Sequence, residues 1–331
     1  MILFIDSRTE IDFSRYSTET GVFIMIKIMA DSTCDLSDEM LKKYDISIAP
    51  LIVSIDGKEY RDRIDITADE FYSRLATYAK PPTTSMPTPE SYMDCFRKAE
   101  EAGHDEILCI CMSSGTSGSY QGAVLSKDLY FESHPESKVR IEIIDSVSMS
   151  HGSGWLIVKC ARLRDLGYSF EELVDYCEHV KYRIKHFLSV EDLENLIRSG
   201  RLSGTGAIIG KMLGIQPIMS MKNTKGAVVA KKRGLKQVLN FYVQEFLERV
   251  DYDETDFVII GYTSDIHRAE NLKNLFVEKT GFDGDIYMMQ MGVAVGTHVG
   301  LGGLSMFFLE KPHADFIQHI KEKLVRRTSN Q

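Results

Sequence analysis

Short apolar runs alternate with longer stretches of helical periodicity along most of this chain. IKIMADST (Ile26–Thr33), EILCICM (Glu106–Met112), KVRIEIID (Lys138–Asp145) and DFVIIGY (Asp256–Tyr262) read as strands. Each is followed by a turn of small residues and then by a helical pattern, the order expected of parallel strands with crossover helices. Between them, Thr67 and Glu70 stand at capping-box spacing, and Phe71, Leu75 and Tyr78 then fall on one helical face. Thr88 followed by Pro89 predicts another helix start. PTTSMPTP (Pro82–Pro89) reads as a proline-stiffened loop, and GIQPIMSMKNTKGAVVAKKR (Gly214–Arg233) as two strands joined by a turn at Gly226. Helical patterns recur over Leu235–Val250 and Ser264–Lys279.

This pattern divides the chain into an α/β domain over 25–180 and a second α/β domain over 181–315. No Gly/Ser linker separates them. Residues 1–24 lack periodicity and read as an extension of unclear status, so Met25 fits a start as well as Met1. Residues 316–331 read as a tail.

Composition narrows the class. With 331 residues and 44% hydrophobic content, a sizeable core is available. The formal net charge of −9 offers no basic field to release counterions from a phosphate backbone, which argues against a nucleic-acid partner. No uncharged apolar run approaches the roughly 18 residues of a membrane span, and Asp6 and Glu10 stand where a signal peptide would be apolar. A cytoplasmic protein without a stable membrane anchor is expected. The six cysteines fit neither a zinc template nor a CxxC redox motif, and are expected as free, mostly buried thiols.

The candidate chemistry lies in loops. In SSGTSGS (Ser113–Ser119), five hydroxyls flank two glycines just past a strand, where parallel sheets bind ligands. A capping turn needs one such hydroxyl, and the excess suits an anion beside a helix start. Thr83, Thr84 and Ser85 repeat the theme. Near the end, glycines bracket His298, a candidate base or polar ligand contact. Arg198, Arg201 and Lys211 stand among further glycines, and Arg233 offers another cation.

Familiar enzyme templates fail. Gly206 to Gly210-Lys211 is too short for a nucleotide-binding P-loop and lacks its Ser/Thr. Gly115–Gly118 lacks the spacing of a hydrolase elbow. No metal-binding or nicotinamide fingerprint stands in their place. The alternative reading, from a different class, is a phosphotransfer enzyme or hydrolase using the Ser-rich loop and His298. It lacks an activated nucleophile.

ADSTCDLS, TTSMP, SSGTSGSYQGA, RSGRLSG, GKMLGIQPI and VGTHVGLGGL, in this order from about Met25 to Lys311, resemble the DegV family of bacterial fatty-acid-binding proteins. The resemblance implies a two-domain α/β fold enclosing one long-chain fatty acid. It also implies that the acid is presented to a separate fatty acid kinase, which makes an acyl phosphate for phospholipid synthesis. Residue by residue, Thr84 and Ser114 match the hydroxyls that hold the carboxylate, with Ser85, Ser113 and Ser117 as close candidates. Arg233 and His298 match groups near the head group, and Arg201 matches an arginine facing the kinase. No catalytic residue, metal or cofactor is implied. Met212, Leu213, Ile215, Phe307 and Phe308 are candidate tunnel residues. Leu301 stands where the family commonly has proline.

Overall fold

The computed structural model describes residues 25–191, 193–202 and 214–312. The first half contains β1 (Ile26–Asp31), α1 (Asp38–Lys43), β2 (Ile46–Ala49), β3 (Ile52–Ile55), β4 (Lys58–Arg61), α2 (Ala68–Arg74) and β5 (Thr83–Ser85). It continues through α3 (Pro89–Glu101), β6 (Glu106–Cys111), α4 (Ser119–Ser133), β7 (Arg140–Asp145), α5 (His151–Asp165) and α6 (Phe170–Val180). The second half contains β8 (Ile184–Ser189), α7 (Glu194–Arg198), β9 (Ile215–Lys222), β10 (Lys225–Arg233) and α8 (Leu235–Arg249). It ends with β11 (Phe257–Tyr262), α9 (Ile266–Thr280), β12 (Asp285–Gln290), α10 (Val293–Val299) and β13 (Leu304–Leu309). The fold is α/β, as expected, with the sequence-predicted caps in place. Thr67 and Glu70 close a capping box on α2, and Thr88 caps α3 ahead of Pro89.

Three sheets form. Strands β2-β1-β6-β7 make a wholly parallel sheet. Strands β4-β3-β5 make a small antiparallel one. The third, ordered β10-β9-β8-β13-β11-β12, is parallel only between β11 and β12. Every residue of β6 is buried because both of its faces are covered. Leu108 and Ile110 join one cluster, whereas Ile107, Cys109 and Cys111 join another. Strand β13 does the same in the third sheet, with Phe307 and Leu309 on one side and Leu304, Met306 and Phe308 on the other.

Helix α5 unites the halves. Its Trp155, Leu156, Ile157 and Val158 belong to the same buried cluster as Ile28 and Leu108 of the parallel sheet and Ile259, Phe307 and Leu309 of the mixed sheet. Trp155 stacks on Phe257 with ring centroids 5.0 Å apart and donates Nε1–H to the Phe257 carbonyl at 3.2 Å. Among the six thiols, all free, five are buried and Cys95 is half-buried.

Three local expectations change. Thr83–Ser85 is a strand rather than a loop: β5 pairs antiparallel with β3, setting Thr84 opposite Val53. His298 lies on helix α10 rather than in a loop, because only the flanking glycines break the helix. The β9–β10 turn falls at Asn223 and Thr224, with φ of 50° and 64°, and Gly226 is paired inside β10. A two-residue hairpin turn needs positive φ at both central positions, a demand that asparagine meets more readily than most residues. Residues 1–24, Lys211, Met212, Leu213 and the tail 316–331 lie outside the described residues.

Candidate ligand-binding site

The carboxyl ends of β1, β6 and β7 open onto one pocket. Thr33 follows β1; Met112, Thr116 and Ser117 follow β6; Met149 and Ser150 follow β7. The opposite wall comes from the mixed sheet, through His186 and Leu188 of β8, Met219 and Ser220 of β9, and Phe307 of β13. Thr84, α10 and Arg201 close the remaining side. The pocket holds about 770 Å3 of non-atom space, its open mouth included. Val190, Leu196, Met219, Met291, Val295 and Val299 form a compact apolar cluster around it.

Three buried carboxyl groups hold these loops in place. Asp31 accepts hydrogen bonds from the Thr33 hydroxyl, from Thr33 N–H at 3.0 Å and from Met112 N–H at 2.9 Å, tying β1 to the Ser/Thr loop. Asp35 accepts from the Ser150 hydroxyl at 2.5 Å and from Gly292 N–H at 2.8 Å, tying the start of α5 to the start of α10. Asp62 accepts from the Ser32 hydroxyl at 2.7 Å and from Val293 N–H at 3.3 Å. The first N–H groups of α10, which no helical carbonyl can satisfy, therefore meet carboxyl oxygens. Burial pushes the Asp35 carboxyl up to about 8; it also raises Asp31 and Asp62, against the pull of their hydrogen bonds.

So anchored, α10 carries His298 to the pocket wall, where its Nε2 lies 2.8 Å from the Thr84 hydroxyl. Burial lowers the His298 pKa to about 4, with smaller pushes from Arg201 and then Arg198. The imidazole is neutral at neutral pH. The group beside Thr84 is thus a hydrogen-bonding imidazole next to a cation, Arg201, rather than a second cation.

The structure brings together Thr84, Ser117, His298 and Arg201 on one pocket and leaves other candidates off its wall. Ser113 is fully buried and donates to the Thr224 carbonyl at 2.8 Å, so it docks the β9–β10 hairpin tip. Gly115 is needed for that docking, since a Cβ there would stand 2.6 Å from the Thr224 carbonyl oxygen. Ser114 gives its backbone N–H to Asp145 at 3.1 Å, and its side chain is not on the wall. Ser85 is exposed on β5, since successive strand residues face opposite ways and Thr84 takes the inward position. Arg233, expected near the head group, is instead exposed at the end of edge strand β10, while Arg201, expected to face a partner, lines the pocket. Phe307 lines the pocket; Phe308 turns into the opposite core cluster, and Ile215 is off the wall.

Thr116, one of the five loop hydroxyls, is on the wall as well, whereas Thr33, Ser150 and His186 are wall residues that the sequence pattern does not single out. Ser150 is the last of three serines between β7 and α5, and it takes φ of 53° without being glycine. Among the described residues, the Ser-rich loop and the imidazole make separate pairs: Ser117 with the Ser119 hydroxyl at 2.9 Å, and His298 with Thr84. Among the described residues, no cluster of His, Cys, Asp or Glu could hold a metal ion, and no helix is long and apolar enough to cross a membrane.

Fold and site together define an α/β protein with a largely apolar small-ligand pocket between two sheets, capped by a hydroxyl–imidazole pair. Residues 25–311 match the family model described as "Uncharacterised protein, DegV family". The chain belongs to the DegV family. It is 36% identical over 292 residues to a DegV domain-containing protein of Clostridium acetobutylicum, covering 86% of this chain and 99% of that one. Among solved structures, it resembles a stearic-acid-binding protein from Eubacterium ventriosum, at 30% identity and a TM-score of 0.77, covering 87% of this chain and 99% of that one. A fatty-acid-binding DegV family protein from Streptococcus agalactiae is also similar, at 26% identity and a TM-score of 0.73, covering 88% of this chain and all (100%) of the other.

Proposed function

We propose that this protein binds one long-chain fatty acid. The carboxylate sits at Thr84, Ser117, His298 and Arg201, and the acyl chain runs along the apolar wall. It then presents the carboxylate to a separate fatty acid kinase in the cytoplasm, which forms an acyl phosphate for phospholipid synthesis. The observation that carries the reading is the pairing of a largely apolar pocket with a compact polar cap, Thr84 to His298 at 2.8 Å. The fatty-acid-binding relatives of the same fold support it. Native mass spectrometry and organic extraction of the purified protein are expected to release a fatty acid at up to one equivalent. A protein that neither copurifies with nor takes up any fatty acid contradicts the reading.

The presentation step has its own test. Adding a partner kinase and ATP to fatty-acid-loaded protein should yield acyl phosphate. At equal loading, Arg233→Ala and Arg198→Ala are expected to slow this at least tenfold while leaving the ligand bound, since both arginines are exposed and charges at an interface rim act chiefly on association. Wild-type rates in both variants would remove these residues from the docking face.

Binding should also be linked to pH through His298. Free of ligand, its imidazole takes a proton only near pH 4, below the ordinary value. A carboxylate placed beside it favours the protonated form and raises that pKa. Between the free and bound values the complex holds a proton that the free protein does not, so affinity should rise as pH falls through the raised bound value toward about 4, where the free imidazole takes its own proton. Calorimetry in buffers of different ionisation enthalpy should detect proton uptake on binding. His298→Gln should abolish it, and proton-neutral binding by wild type would place the carboxylate elsewhere.

A further inference from the structure

Away from the polar cap, the apolar wall contains an imidazole. His186 lies on β8, opposite Phe307 of β13, with its ring edge-on to that phenyl at 5.3 Å between centroids. The residue is 5% exposed, and neither Nδ1 nor Nε2 makes a well-formed hydrogen bond to a described residue, the backbone of Ile184 being a polar neighbour. Leaving such a group unpaired in the interior costs about 1–3 kcal/mol, so a dry aliphatic wall is better made by leucine or phenylalanine. The backbone is also cut to fit the ring: a Cβ at Gly152 on α5 would lie 2.1 Å from Nε2.

His186 stands at a definite place. A second cavity, enclosing about 640 Å3 including open space, is lined by Lys181, Lys185 and Asn223 and meets the first only at His186 and Ser220. None of Thr84, Ser117, Arg201 or His298 touches it. His186 therefore stands where the two cavities meet, on a stretch of wall that it shares with Ser220 and not with the head-group cap. Burial lowers its pKa to about 3, so the ring is neutral, one nitrogen a donor and the other an acceptor. A neutral ring of this kind is matched by a hydroxyl, which also donates and accepts. A second carboxylate would call for a cation. Both ring nitrogens are covered, so the imidazole must turn about its soft outer torsion, out of its seat against Gly152, for one of them to meet a ligand.

We propose that this pocket selects fatty acids carrying a hydroxyl part-way along the acyl chain, with His186 as the residue that reads it. The proposal rests on the fatty-acid reading above and specifies the ligand further. It is a matter of discrimination: a site with a buried, unpaired polar group rejects the ligand that fails to pair it.

The test is competition binding of stearate against a set of hydroxystearates with the hydroxyl moved along successive mid-chain carbons, for wild type, His186→Leu and His186→Gln. In wild type, at least one isomer is expected to bind ten-fold or more tightly than stearate. His186→Leu should erase that preference by weakening the hydroxystearate far more than stearate, with an unchanged urea unfolding midpoint showing that the variant is folded. His186→Gln, which can still donate and accept, should keep part of it. Wild type that binds stearate as tightly as every isomer overturns the proposal, since the imidazole is then satisfied without the ligand, as by a trapped water. A preference that survives His186→Leu overturns the assignment to this residue. If wild type binds plain and hydroxylated acids equally well, only this inference fails. If it binds neither, the fatty-acid reading falls and this one with it.

Discussion

Trp155→Ala is expected to destabilise the protein by about 3–5 kcal/mol, the usual cost of deleting a fully buried large aromatic side chain. Trp155 has no exposed surface and sits in the helix that both large sheets share. Truncation removes its stacking on Phe257 at 5.0 Å and its hydrogen bond to the Phe257 carbonyl at 3.2 Å. The cavity cannot collapse easily, because Leu156, Ile157 and Val158 are held by the same cluster. Trp155→Phe keeps most of the apolar contact and loses the indole hydrogen bond, so it should cost much less. Urea unfolding midpoints at unchanged slope would measure both. A loss below about 1 kcal/mol for the alanine variant would mean that the sheets are not coupled through this side chain.

The parallel sheet is legible because its central strands β1 and β6 are covered on both faces and read as largely apolar runs. Ile107–Cys111 is the clearest case, split between two clusters by alternation alone. The mixed sheet was harder. Met306 and Phe307 look alike as letters, yet one faces a core and the other a pocket. The SSGTSG loop was legible as special but not in its division of labour. Ser113 and Gly115 serve the docked hairpin tip, whereas Ser117 and Thr116 serve the wall, and only the long-range contact to Thr224 separates them. The exchange of Arg201 and Arg233 has the same cause, since an arginine's side depends on strand ends that no local pattern dictates. His186 is not legible in the sequence, because a histidine within an apolar strand carries no local sign of its surroundings.

The structural role of the carboxyls explains why the cap can be so small. Asp31, Asp35 and Asp62 are consumed in fastening Met112, Ser150, Gly292 and Val293, so the loops reach the pocket already ordered. A ligand head group then loses little affinity to the ordering of side chains on binding.

Removing the cap should therefore have a large and specific effect. Thr84→Val with Ser117→Ala is expected to weaken long-chain fatty acid binding about a hundredfold or more, since each hydroxyl given to a charged group contributes about 1.5–3 kcal/mol. Valine keeps the branched shape of Thr84 on β5, so its pairing with β3 should survive. Ser117→Ala leaves the loop's backbone bonds from Thr116 and Ser117 to the Ser113 carbonyl intact. Ser114→Ala is the matched comparison from the same loop. Its backbone N–H still reaches Asp145 and its side chain is off the wall, so affinity should change by no more than a few-fold. Equilibrium binding of a labelled fatty acid, together with the lipid that copurifies from cells, reads all three proteins. Wild-type affinity in the folded double variant would place the carboxylate away from Thr84. A collapse in Ser114→Ala alone would mean that the loop turns its other face to the ligand when the pocket fills.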